Sequence, residues 1–279
     1  MLQFKKTLFV SLFFFILALI FLVEALITPH LNYILPFVGY GGTFRYNNYT
    51  FFEKKISLYL LTYIIGIVSM MIMCIYRARK YQIRYWLAIT VSILLAFFGC
   101  LGAKIMYILE NYDYASQNKL TFGGMSFFGT LFFMLFIIPI IAIIFKKKPA
   151  EFLDYCTPAG LVMLTCVRFG CFLKGCCGGV TYWIMNRPII VPVQLIECTL
   201  DILLLAFLFF IEEKKIYKGK LYFIFIGGYG MYRFFLEMLR NTPKTILLFS
   251  HGQCFSIICI CIMCIALFTG KNKKLPNQK

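Results

Sequence analysis

The chain has 279 residues, 61% hydrophobic and 14% charged, with a net charge of +17. A mean hydropathy of +0.83 means more apolar surface than a soluble chain of this length can bury, which excludes an ordinary soluble enzyme. The positive excess does not read as nucleic-acid binding, because the basic residues punctuate apolar runs and form no stripe interleaved with aromatic platforms.

In chain order, about eight stretches are long and apolar enough to cross a bilayer. They cover residues 7–27, 56–76, 85–104, 125–145, 157–175, 193–211, 221–239 and 253–269. The first resembles a signal peptide with Lys5 and Lys6 as its basic start. Its apolar run is long and no small-x-small cleavage site closes it, so we expect a retained helix. The expected fold class is therefore all-α, a polytopic membrane bundle. Basic residues fall mostly on one set of termini and loops: Lys5–Lys6, Arg77–Arg84, Lys146–Lys148, Lys214–Lys220 and Lys271–Lys279. The bias alternates through eight spans, so both termini are expected in the cytoplasm.

That orientation carries the unusual polar residues to the outer half of the bundle. Lys104 is expected to end the third span, and Gly123, Gly124 and Ser126 to open the fourth. Arg168 and Lys174 lie in the fifth span, Gln194 and Glu197 begin the sixth, and Arg233, Glu237 and Arg240 close the seventh. A charge at bilayer depth costs roughly 2.5–3.5 kcal/mol on insertion scales, so such residues usually meet a partner charge or a polar substrate. A guanidinium grips phosphate with a planar fork and stays charged when desolvated. Arg168, Arg233 and Lys104 therefore suit an anionic phospholipid headgroup. Glu237, one turn from Arg233, either orients that arginine or acts as a base. A structural Arg–Glu pair between helices is the simpler alternative.

Five segments in order carry a resemblance: GGMSFFGTL (123–131), R-x-G-x-F-x-x-G (168–175), P-x-Q-L-x-E (192–197), YGMYRFFLEMLR (229–240) and GQCFSI (252–257). Together they resemble the bacterial prolipoprotein diacylglyceryl transferase family, over about residues 56–270. The resemblance implies a plasma-membrane enzyme with an outward-facing site. It would move a diacylglyceryl group from phosphatidylglycerol to the lipobox cysteine thiol of a secreted precursor, without a cofactor. Arg168 and Arg233 match the family's two essential arginines, and Glu237 and Tyr229 its Glu and Tyr. Gln194 and Glu197 match the segment before the sixth span, and Lys104 stands where the family often has Arg. Gly124 and Ser126 belong to its glycine-rich motif. Four family positions depart: Phe128 and Val191 replace histidines, Cys171 replaces Asn and Cys176 replaces Glu. The loop between Gly179 and Pro192 is short, which removes much of the family's outer arm.

Of the 12 cysteines, those in apolar spans read as small core residues. Cys171, Cys176 and Cys177 differ, because they sit beside Arg168 and Lys174, and nearby cations favour thiolate. They read as nucleophiles, as a disulfide or as plain substitutions. A metal site reads weakly, since His30 and His251 are the only histidines and no second cysteine pair has zinc-like spacing. The expected organisation is an added span and outer loop over 1–55, a transferase-like membrane unit over 56–270 and a basic tail over 271–279. Two other readings fit the same substitutions. One is a paralogue with another acceptor, working through Cys171 or Cys176; the other is a non-catalytic lipid-binding protein.

Overall fold

In hydrocarbon every backbone N–H and C=O must pair within the protein, so long apolar runs become helices. The computed structural model describes residues 48–51, 54–110, 124–174, 176–184, 187–215, 217–240 and 249–269, with Ile16 and Thr242 as isolated positions. Its helices are α1 (Leu58–Ala78), α2 (Tyr85–Glu110), α3 (Phe127–Ile144), α4 (Pro149–Lys174), α5 (Val193–Glu213), α6 (Leu221–Leu236) and α7 (His251–Thr269). Six of these are long and apolar enough to cross a membrane. The exception is α6, whose 16 residues run into a 3-10 turn, Glu237–Leu239. Apart from Ile16, the span expected over 7–27 lies outside the described residues, as does the tail 271–279.

Two boundaries differ from expectation. Helix α2 continues through the apolar residues after Lys104 to Glu110, so Lys104 sits inside the helix and does not end it. Helix α4 starts at Pro149, where a proline's missing N–H costs nothing. The helical bundle also carries two short antiparallel hairpins. One pairs β1 (Asn48–Phe51) with β2 (Lys54–Ser57), and the other pairs β3 (Thr181–Ile184) with β4 (Arg187–Ile190). The second hairpin is the short loop between Gly179 and Pro192. Val180 N donates to Leu239 O at 2.7 Å, which ties it to the end of α6.

Helix α1 packs on α4, α2 on α3, α4 on α5, and α6 on α7. Large apolar side chains such as Ile93, Phe97, Phe136 and Ile144 point outward, as a lipid-facing surface requires. The two ends of the bundle hold different polar networks. At one end Arg77, only 3% exposed, forks onto Glu212 with two contacts of 2.8 Å. Its Nε donates to Tyr155 O at 3.1 Å. Asp154 accepts the Gly219 and Leu221 N–H groups, which caps the start of α6. The other end gathers the start of α1, α3, α5 and α7 and the finish of α2, α4 and α6.

Candidate active site

The polar residues of that second end mostly sit within about two turns of a helix terminus, so their side chains reach a common interior. Glu197, in the first turns of α5, is 2% exposed and stands between two arginines. Arg168 Nε of α4 lies 2.9 Å from its Oε1, and Arg233 Nη1 of α6 lies 3.5 Å from its Oε2. Arg233 Nη2 also approaches Glu237 Oε2 at 2.8 Å, and Arg240 Nη1 reaches the same oxygen at 3.7 Å. Three guanidiniums thus share two carboxylates. Tyr229, fully buried, receives an Arg168 Nη2 contact at 3.4 Å and donates toward Glu197 at 3.5 Å.

Distance and alignment disagree within this cluster. Arg168 Nε, Arg233 Nε and Nη1, and Arg240 Nε are buried without a hydrogen-bond acceptor among the described residues. The ion pairs at Arg168 Nε and Arg233 Nη1 are therefore close but poorly directed, and the alignment is the better guide to hydrogen bonding. A buried donor left unpaired costs about 1–3 kcal/mol, and more when charged. Glu237 Oε2, Asp201 Oδ2 and Gln194 Oε1 are likewise buried without a partner among the described residues, so the cluster holds unmatched acceptors as well as unmatched donors.

Lys104, Gly124 and Ser126 gather around the outgoing end of α2. Lys104 Nζ lies 5.3 Å from the Tyr107 ring centroid. Gly124 adopts φ +73°, and a β-carbon there would fall 2.2 Å from the Tyr107 ring, so only glycine fits. Ser126 Oγ donates to Glu110 at 2.8 Å. Glu110 in turn lies within the electrostatic reach of His251 and Glu237, which links this group to the arginine cluster.

The third group is sulfur. Cys171 ends α4, and the chain then turns so that Cys176 N donates to Cys171 O at 3.1 Å. Gln194 Nε2 of α5 donates to Cys176 O at 2.6 Å. The Cys171, Cys176 and Cys177 sulfurs lie within 4.8 Å of one another. Hydrogen bonds from Cys171 and Cys176 lower the Cys177 thiol against the effect of burial, and Arg168 and Arg240 add to the lowering. Helix α1 comes close enough here that a β-carbon on Gly170 would meet Thr62 Oγ1 at 2.2 Å.

The model of the prolipoprotein diacylglyceryl transferase family matches residues 49–269. The chain belongs to that family. A phosphatidylglycerol–prolipoprotein diacylglyceryl transferase of Buchnera aphidicola is 27% identical over 217 residues, covering 63% of this chain and 77% of the relative. One from Idiomarina loihiensis is 31% identical over 198 residues, covering 63% and 73%. One from Campylobacter hominis is 26% identical over 256 residues, covering 83% and 91%. A multi-pass bacterial membrane protein of the transferase family is thus in view.

Within this family member, the structure brings Arg168, Gln194, Glu197, Tyr229, Arg233 and Glu237 to one end of the bundle. Phe128, at the position of the family's histidine, is buried. Its ring packs edge-on against Tyr229 at 5.6 Å and against Phe132 and Phe255. Reading the sequence missed Asp201, which is fully buried and accepts the Tyr232 hydroxyl. Its signal was available: an acid four residues after Glu197, inside an apolar run. It also missed Glu110. The three-sulfur cluster was missed as a unit, although C-x-x-x-x-C-C is a compact donor spacing.

Proposed function

We propose that this chain transfers a diacylglyceryl group from phosphatidylglycerol, or a similar anionic phospholipid, to the lipobox cysteine thiol of a secreted lipoprotein precursor. The observation that carries this reading is the array of buried, unaccepted guanidinium donors on Arg168, Arg233 and Arg240. A phosphate diester supplies the missing acceptors. Arg168 and Arg233 hold the headgroup and stabilise charge developing on the departing glycerol phosphate. Lys104, Gly124 and Ser126 form the neighbouring wall of the headgroup pocket. Gln194 sets the cysteine turn, while Glu197 and Tyr229 aim the arginines. Glu237 orients Arg233, and the Cys171–Cys176 turn stands on the acceptor side. The catalytic unit spans 56–270, with residues 1–55 and 271–279 as additions.

The deciding experiment uses the full chain in nanodiscs with a lipobox peptide. With phosphatidylglycerol the peptide gains a diacylglyceryl mass on its cysteine; with phosphatidylcholine alone it does not. Equal transfer from both lipids, or none from either, defeats the proposal.

The site is proposed to face outward, in a plasma-membrane setting, from the basic bias of the opposite end. In a Cys177→Ser background, an impermeant thiol reagent applied to intact cells is expected to label Met125→Cys. It should leave Lys147→Cys unmodified until the cells are opened. The reverse pattern would turn the site toward the cytoplasm.

A further inference from the structure

We propose that Cys171, Cys176 and Cys177 hold a zinc ion whose fourth position is left open for the acceptor thiol. The proposal rests on the transferase reading above and gives its thiol chemistry a physical agent.

The geometry is that of a donor set. All three sulfurs lie within 4.8 Å of one another. Zinc–sulfur bonds of about 2.3 Å in a tetrahedron put sulfurs about 3.8 Å apart, so closure needs shifts of about 1 Å or less. The turn is built to present them. Cys171 is fixed in the last turn of α4, Cys176 is held by its own N–H and by Gln194, and Cys177 takes the left-handed φ of 61°. A non-glycine residue in that region is uncommon and marks a constraint.

Charge and ligand type favour zinc. Three thiolates and one divalent cation leave a single negative charge. Soft sulfur donors select zinc or copper(I) over hard cations. Three protein ligands with an open fourth position is the pattern of a reactive zinc site, and a thiol that coordinates zinc is deprotonated outright.

Such a site answers a need of the proposed reaction. The acceptor must react as a thiolate, and Phe128 is buried and carries no base. On binding, the acceptor S–H releases its proton to water. The sulfur lone pair then forms the bond to the glyceryl carbon. The bond from that carbon to the phosphate oxygen breaks, and its electron pair leaves on the glycerol phosphate. Nothing is oxidised or reduced.

The test uses the full chain in phosphatidylglycerol nanodiscs, kept reduced, with Zn2+ and with Co2+ as its spectroscopic stand-in. We expect about one metal per chain and the strong near-ultraviolet absorption of cobalt–thiolate bonds. Cys171→Ser, Cys176→Ser and Cys177→Ser should each weaken binding by more than about 100-fold, beyond what loss of a supporting contact outside the ligand set gives. Cys166→Ser should not. A lipobox peptide should raise the charge-transfer intensity by about one-third, as three thiolates become four, and a peptide with serine in place of its cysteine should not. Absence of bound metal, or binding indifferent to the three cysteine variants, overturns the proposal. So does a cobalt spectrum that the thiol peptide leaves unchanged. Loss of transfer with these spectra intact would instead count against the transferase reading.

Discussion

Arg233→Ala should reduce transfer from phosphatidylglycerol by at least about 100- to 1,000-fold, the usual consequence of removing one preorganised donor from a developing oxyanion. Arg168→Ala should do the same. Arg168 Nε and Arg233 Nε and Nη1 are buried donors that no described group accepts. Arg233→Lys should recover only a small part, because an ammonium keeps the charge but loses the fork that reaches Glu197 and Glu237 together. The assay is the nanodisc transfer reaction, normalised to folded protein by size-exclusion chromatography. That control matters, since deleting one partner of a buried pair also costs roughly 3–5 kcal/mol of stability. Transfer within about tenfold of wild type in both alanine variants would remove the phosphate cradle from the mechanism.

The second large effect is expected at the opposite end and on stability alone. Glu212→Ala should destabilise the bundle by roughly 3–5 kcal/mol, because it leaves the buried Arg77 guanidinium with neutral partners only, two backbone carbonyls and the Tyr81 hydroxyl. Replacing both partners, Arg77→Met with Glu212→Leu, should restore much of the loss, since an apolar pair pays no desolvation penalty. Thermal unfolding in detergent measures this. Transfer per folded molecule should remain near wild type in the double variant, because this lock joins α1 to α5 away from the arginine cluster. A Glu212→Ala melting curve that overlays wild type would show that the pair contributes nothing.

The two networks also explain why the site has room for unsatisfied donors. The Arg77 fork is matched donor to acceptor, and Asp154 caps α6 on the same side. The bundle is therefore anchored at one end and can leave charge incompletely paired at the other. Buried polar groups are usually paired, so incomplete pairing supports the proposed substrate-binding role of the cluster.

Much of this was legible in one dimension. Length and hydropathy locate the helices because hydrocarbon permits little else, and the isolated charges at 168, 233 and 237 stand out because their burial is expensive. Five ordered motifs carried the family. Boundaries were less legible: nothing local stops α2 at Lys104 when the next residues are apolar. Partnerships depended wholly on packing. Sequence spacing pairs Arg233 with Glu237 but cannot reveal that Glu197 stands between Arg168 and Arg233, because those residues come from three helices. It also cannot reveal that Cys177 turns back toward Cys171, since that depends on one left-handed backbone angle and on a glutamine from the next helix. Helical periodicity is written locally in the chain, whereas convergence of side chains from separate helices exists only once those helices have packed.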